Sequence, residues 1–206
     1  MPMGKRNTGE TLQAMDLETI RGEVVHIPDP RQLVHLQFRR FAGCPICNLH
    51  LRSIAKRIEQ IRAAGVREVA VFHSSKETML PYQGDLPFAV VADPAKRLYL
   101  QLGVESSPRA VLDPRAWVAG LRGRFAKHPS NRNVGEGGHL GLPADFLVAQ
   151  DGRILALKYG VHANDQWSVD ELLSLARQGL KTEPPAIARA PGPGKRAPGA
   201  ARGGTR

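Results

Sequence analysis

Cys44 and Cys47 are the only two cysteines of the 206-residue chain, and they flank Pro45-Ile46 where a run of strand formers gives way to a helical pattern. Two thiols three positions apart at a helix start share one face, with β-carbons roughly 5–6 Å apart. A reversible disulfide is within reach after a small adjustment. The reacting form of a thiol is the thiolate, and at an ordinary pKa near 8.5 only about 3% is ionised at pH 7. The positive end of a helix beginning at Pro45, with Arg39 and Arg40 just upstream, is expected to lower that value at Cys44. A shift of about two units, roughly 2.7 kcal/mol, would ionise most of it. Cys44 is therefore expected to be the nucleophile. Cys47, one turn inside and on the buried stripe, is expected to be the resolving thiol. Two reactions use the same pair. Attack on a hydroperoxide gives a sulfenic acid at Cys44 that Cys47 condenses with, and attack on a disulfide gives a mixed disulfide that Cys47 releases. Both need the sulfurs adjacent, reachable and not held by a metal ion.

The elements that must position the pair follow from periodicity. Leu33-Val34-His35-Leu36-Gln37-Phe38 is dense in strand formers and reads as a strand aimed at Cys44. Arg39 to Gly43 make the turn, with Gly43 allowing the change of direction. Pro45 suits the first helical position. Cys47, Leu51, Ile54, Ile58 and Ile61 then mark one face of a helix from Pro45 to Ala64, and Gly65 stops it. Val66 to Phe72 reads as a strand buried on both faces, and the strand-helix-strand crossover makes the two strands parallel. A helix from Ser75 to Tyr82, a strand from Phe88 to Ala92 and a helix started by Asp93-Pro94 and running to Gly103 continue the alternation. Late in the chain, Asp145 to Ala149 and Arg153 to Tyr159 form a hairpin around Gln150-Asp151-Gly152. Ser168 with Glu171 is a capping box that opens a last helix.

Length predicts one domain with additions. Residues 1–20 read as an N-terminal extension, 21–180 as the α/β domain, 104–141 as an insertion with a helix started by Asp113-Pro114, and 181–206 as a disordered tail. The formal net charge is +10. From Lys181 onward, Lys181, Arg189, Lys195, Arg196, Arg202 and Arg206 stand against Glu183 alone, so half of that excess lies in a Pro/Gly/Ala-rich segment with little to bury. No nucleic-acid recognition motif accompanies it, so no specific nucleic-acid partner is expected. The first 20 residues lack an export signal's apolar run, and no stretch approaches the roughly 20 apolar residues of a membrane span. A cytoplasmic protein without a membrane partner is expected.

Leu36-Gln37-Phe38-Arg39-Arg40-Phe41 before Gly43-Cys44-Pro45-Ile46-Cys47, the Phe88 to Asp93 strand end with Tyr99 and Gly103 beyond it, and Pro143-Ala144-Asp145-Phe146-Leu147-Val148 before Asp151-Gly152 carry a resemblance. Over residues 20 to 178 the chain resembles the thioredoxin-fold superfamily, and more closely the peroxiredoxin-like branch of the alkyl hydroperoxide reductase/thiol-specific antioxidant (AhpC/TSA) family. The resemblance implies a thioredoxin-like α/β fold with a central mixed sheet flanked by helices. It implies a hydroperoxide or disulfide substrate, a thioredoxin- or glutathione-type electron donor and no bound cofactor; a homodimer is one possible assembly, which the sequence leaves open. It also implies a cis peptide at Leu142-Pro143, facing the cysteines. The chain departs from the family pattern at Gln37 and Phe41, where the family has a proline and a threonine. The arginine completing the site is open among Arg39, Arg40 and Arg109.

Other readings stand beside this one. Cys44, Cys47 and His50, with His73 or His139, have spacing that suits zinc, although His50 also fits the polar helix face. Gly135, Gly137, Gly138 and Gly141 do not follow a strand and open a helix, so a flexible lid accounts for them better than a phosphate loop. His162, Asp165 and Trp167 match a branch signature and are expected to fix the turn before the last helix. A non-catalytic interaction module is the remaining alternative.

Overall fold

The computed structural model describes residues 4–104, 118, 121, 138 and 140–182. A five-stranded mixed sheet runs in the order β5-β4-β3-β6-β7, built from β3 (Leu33–Phe38), β4 (Val66–Phe72), β5 (Ala89–Ala92), β6 (Ala144–Val148) and β7 (Ile154–Tyr159). β3, β4 and β5 are parallel, while β6 is antiparallel to both β3 and β7. Helices α1 (Pro45–Lys56), α2 (Ile58–Ala63), α3 (Lys76–Gln83), α4 (Arg97–Gln101) and α5 (Val169–Thr182) complete the described elements. This is the thioredoxin-like α/β fold expected from the sequence.

Two apolar layers sandwich the sheet. Leu51, Ile54, Ile58 and Ile61 of α1 and α2 pack with Leu33, Ala70 and Phe72, joined by Leu172 and Ala176 of α5. The opposite face holds Val34, Leu36, Phe38, Val69, Val71 and Phe146 under Tyr99 and Leu102. That second face is closed by a hairpin, β1 (Met15–Glu18) and β2 (Val24–Ile27), which buries Leu17, Val25 and Ile27. No strand was expected there, and the boundary anticipated at residue 20 falls inside the hairpin. Its four-residue strands are too short for a period-2 pattern to stand out.

The helix expected from Pro45 to Ala64 is interrupted at Arg57, whose N–H bonds the Ile54 carbonyl in a tightened turn. The apolar stripe survives the break, since Leu51, Ile54, Ile58 and Ile61 are all buried. The capping box is present: Glu171 N–H donates to Ser168 Oγ, and Ser168 N–H donates to the Glu171 carboxylate at 2.7 Å. The expected helix at Asp113 lies largely outside the described residues, though Val118 and Leu121 are helical and exposed. Arg109, His139 and the tail beyond Thr182 also lie outside them. Among the described residues no helix is long and apolar enough to cross a membrane.

Beneath α1 the inward positions of the sheet are not uniformly apolar. His35 and Gln37 of β3, Glu68 of β4 and Asp145 of β6 are fully or nearly fully buried. His35 Nδ1 lies 2.8 Å from Glu68 and its Nε2 lies 3.1 Å from Asp145. With a carboxylate at each ring nitrogen, both must carry protons, and the imidazole is a buried cation. Burial opposes its charge, but Glu68 and Asp145 outweigh it and raise His35 to about 9. The stability this supplies is full below the ordinary value near 6.5 and is lost as pH rises through about 9. In a Cys44→Ser/Cys47→Ser background, which removes thiol titration, the urea midpoint should fall between pH 7 and 9.5. The fall should flatten in the same protein carrying His35→Gln. Equal slopes in the two proteins would refute the buried cation.

Candidate active site

Gly43, at φ +71°, turns the chain off the end of β3 into α1 in a backbone region that favours glycine. Ser74 Oγ holds this turn by accepting the Ala42 N–H at 2.9 Å, and the buried Gln83 amide holds the helix start through Asn48 at 2.7 Å. Pro45 occupies the first helical turn as expected, and Cys44 is the N-cap, its sulfur accepting the Cys47 backbone N–H at 3.3 Å.

The two sulfurs are 2.6 Å apart and unbonded. Arg40 Nη1 lies 4.0 Å from the Cys44 sulfur, and the Arg40 guanidinium packs over the Phe41 ring at 5.4 Å. Adjacency is thus met. Reachability is not met in this conformation: Cys44 is 0% and Cys47 1% exposed, within the apolar cluster that includes Phe41, Ile46, Phe72 and Met79. The mouth-of-the-helix position expected for Cys44 is therefore covered, and a substrate reaches it only when its surroundings move.

The thiols ionise as a unit. Two negative charges in contact in a buried site exclude one another, so burial and the Cys47 neighbour push Cys44 well above the ordinary thiol range. Burial also opposes charge on Cys47, but contact with the Cys44 sulfur and the Arg40 and Arg39 guanidiniums bring it down to about 7. The backbone N–H and Arg40 nevertheless converge on the Cys44 sulfur. With one proton between two sulfurs in contact, the lowered value belongs to the pair rather than to Cys44 alone, which corrects the expectation from the helix end.

Arg39 is 0% exposed, where a surface charge was the ordinary expectation. Its Nη1 donates to the Phe38 carbonyl at 3.0 Å, and its Nη2 donates to Asp145 at 2.6 Å and to His50 Nε2 at 3.1 Å. His50 therefore turns inward from the polar helix face where the sequence put it. Among the described residues no three His, Cys, Asp or Glu side chains are grouped to hold a metal ion, so the arrangement proposed for zinc is not assembled. Gln37, at the family's proline position, donates to Glu68 at 2.8 Å. His35, Glu68 and Asp145 escaped the sequence reading, and His50 entered it only as a zinc ligand or a residue of the polar helix face. The available signal for the first three was a polar or charged residue interrupting the otherwise apolar strands β3, β4 and β6.

The cis peptide expected at Leu142-Pro143 is corrected: that bond is trans, and the cis bond among the described residues is Ile27-Pro28. Pro143 directly precedes β6, its carbonyl accepting the Gly160 N–H at 2.8 Å. Just before it, Gly141 passes so close to His73 that a β-carbon would lie 2.9 Å from Nε2. The His162–Trp167 signature does fix its turn. Asp165 accepts the Val161 N–H and pairs with Lys158 at 2.6 Å, and the Trp167 N–H donates to Asp145.

The family model described as AhpC/TSA antioxidant enzyme matches residues 53–162, a span that begins six residues after Cys47. No curated protein matches. Among solved structures, peroxidoxin BcpB from Mycobacterium tuberculosis is similar at a TM-score of 0.60 and 14% identity, covering 85% of this chain and 98% of that one. The reduced 2-Cys peroxiredoxin of Plasmodium vivax gives 0.60 and 14%, covering 85% and 84%. The thiol:disulfide interchange protein DsbE from Chlorobium tepidum gives 0.51 and 19%, covering 85% and 96%. At these identities the likenesses concern the fold.

The shared ionisation is directly measurable. Titration of thiolate absorbance at 240 nm in the reduced protein should show one thiolate forming near pH 7 and the second thiol ionising only well above the ordinary thiol range. Arg40→Gln should raise the first step by about one unit, because it removes a neighbouring cation. Two equal steps near the ordinary thiol value, or an unmoved first step in the variant, would contradict the geometry.

Proposed function

The chain belongs to the AhpC/TSA antioxidant enzyme family, and on that premise we propose that it is a thiol-dependent antioxidant oxidoreductase whose Cys44/Cys47 pair cycles between dithiol and disulfide. The observation that carries this reading is the contact of the two sulfurs at 2.6 Å, with a backbone N–H and Arg40 directed at Cys44. With a hydroperoxide, the Cys44 thiolate attacks the terminal oxygen. An S–O bond forms, the O–O bond breaks, and the departing alkoxide takes a proton and leaves as alcohol. Cys47 then attacks the Cys44 sulfur: an S–S bond forms, the S–O bond breaks, and water leaves. An external dithiol of the thioredoxin type, or two glutathione thiols that leave as their own disulfide, returns two electrons and two protons by exchange. Because both sulfurs are covered, each round requires local opening around the Cys44 turn, which Ser74 holds.

Disulfide exchange is the second reading, and a specific observation favours it. Gln37 and Phe41 stand where the family has its proline and threonine, with Gln37 committed to Glu68 and Phe41 to stacking beneath Arg40. A side-chain hydroxyl to orient a peroxide is therefore missing at position 41, whereas exchange with a disulfide needs the thiolate and resolving thiol alone.

Steady-state reduction of hydrogen peroxide, an organic hydroperoxide and insulin disulfides, coupled to thioredoxin or glutathione systems, separates the two. Cys44→Ser should lower the physiological activity by at least about a hundredfold, as loss of a covalent nucleophile does. Cys47→Ser should trap a sulfenic acid that reacts with dimedone if peroxide is the substrate, and a mixed disulfide if it is not. Turnover unaffected by Cys44→Ser would overturn the proposal.

A further inference from the structure

His50 lies one turn beyond Cys47 on α1, the helix that carries both sulfurs. Its ring is half-buried, and Nε2 faces Arg39 Nη2 at 3.1 Å. A guanidinium has only N–H donors, so Nε2 must be the unprotonated nitrogen and the ring proton must sit on Nδ1. The same Arg39 Nη2 donates to Asp145 at 2.6 Å, and Nη1 to the Phe38 carbonyl. Arg39 Nε has no hydrogen-bond partner, so the guanidinium is oriented entirely by its two terminal nitrogens. Asp145 is fixed in turn by His35 and the Trp167 N–H. The cation is thus clamped between an acid of the sheet and an imidazole of the redox helix.

The charges around His50 keep it in the acceptor form. Burial and the adjacent Arg39 cation hold it well below the ordinary histidine value, with His35 adding to this and Asp145 opposing. Its other side lines an open cleft of about 360 Å³ with Ser53 and Arg57 from the α1–α2 junction and Asn164, Gln166 and Asp170 from the segment entering α5. In that cleft Arg57 is paired with Asp170 at 2.8 Å, so the charged groups facing His50 there largely cancel. A second acceptor for Arg39 from α1 is not needed to neutralise the guanidinium, since Asp145 already does that. What it adds is a tie to α1, one turn from Cys47 on the helix that carries both sulfurs.

We infer that His50 is a positioning residue for the redox pair, holding the Arg39 guanidinium at the foot of α1 so that its charge is presented to the Cys47 thiol. The inference rests on the Cys44/Cys47 pair being the reactive centre, and it adds His50 and Asp145 to the residues that set the reactivity of that pair. Without the imidazole acceptor, Arg39 settles against Asp145 and the nearby carbonyls, and the thiol pair loses part of its cationic support.

The test is thiolate titration at 240 nm in the full chain with no substrate or reductase present, comparing wild type, His50→Leu and His50→Gln. Leu removes the acceptor, whereas Gln retains an oxygen that Arg39 can use. The first ionisation should rise by about half to one unit in His50→Leu and stay within a few tenths of wild type in His50→Gln. An unmoved titration in His50→Leu, or equal shifts in both variants, would overturn the role. Imidazole ¹⁵N shifts of the wild type give an independent reading that needs no variant to fold. An unprotonated Nε2 at pH 7 is expected, and an Nε2–H tautomer would overturn the clamp. Neither measurement involves turnover, so a failed activity assay would sink the preceding proposal without altering this result.

Discussion

The buried contact between Arg39 and Asp145 is the constraint on which the site rests. Both side chains are fully excluded from water, and transferring either charge alone into the core would cost several kcal/mol. The cost is tolerable because the surroundings are neutral in sum: His35 and Arg39 supply two positive charges, and Glu68 and Asp145 supply two negative ones. Geometry allows the cancellation. β3 is the central strand, with β4 on one side and β6 on the other, so a histidine and an arginine from β3 and the residue that follows it can reach an acid from each neighbour.

This arrangement also dictates where the cysteines can be. Arg39 and Arg40 are successive residues leaving β3, and successive side chains of extended backbone diverge. Arg39 goes down into the network beneath α1, and Arg40 goes toward Cys44. The helix that follows is tied to the sheet from below through His50 and Arg39 and from the side through Gln83, and its preceding turn is tied by Ser74. The thiol pair therefore sits at the end of a helix fixed to the sheet, with the Arg40 guanidinium beside Cys44. A buried thiol is otherwise a poor nucleophile, because burial favours the neutral form. Here the charge left by one proton is spread over two touching sulfurs with the Arg40 guanidinium beside them, which offsets part of the cost of burial.

Within the proposed redox cycle, the covering has a functional sense. A thiolate open to solvent is exposed to over-oxidation, whereas a covered pair in contact favours rapid closure once one sulfur has been oxidised. The turn Phe41-Ala42-Gly43 is the natural place for opening, since it is held by side-chain bonds rather than by a sheet ladder. Such bonds can be released without breaking the fold.

Much of this was legible in the chain. The strands at Leu33–Phe38 and Val66–Phe72 appear at their expected bounds, and Pro45, Gly65 and the Ser168–Glu171 box mark helix ends as their local chemistry requires. The pairing of Cys44 with Cys47 follows from helical spacing alone. These are local properties, set by residues within one or two turns of each other. What the chain alone did not disclose were properties of distant residues brought together. His35 reads as an ordinary polar interruption until Glu68 and Asp145 stand at its two nitrogens, and Arg39 reads as a surface cation until β6 and α1 close over it. The burial of the sulfurs and the trans bond at Pro143 belong to the same class. Residue type and spacing determined which groups could react, and packing across the sheet decided their charge and their access to water, because electrostatic energies in a core depend on neighbours that sequence distance does not reveal.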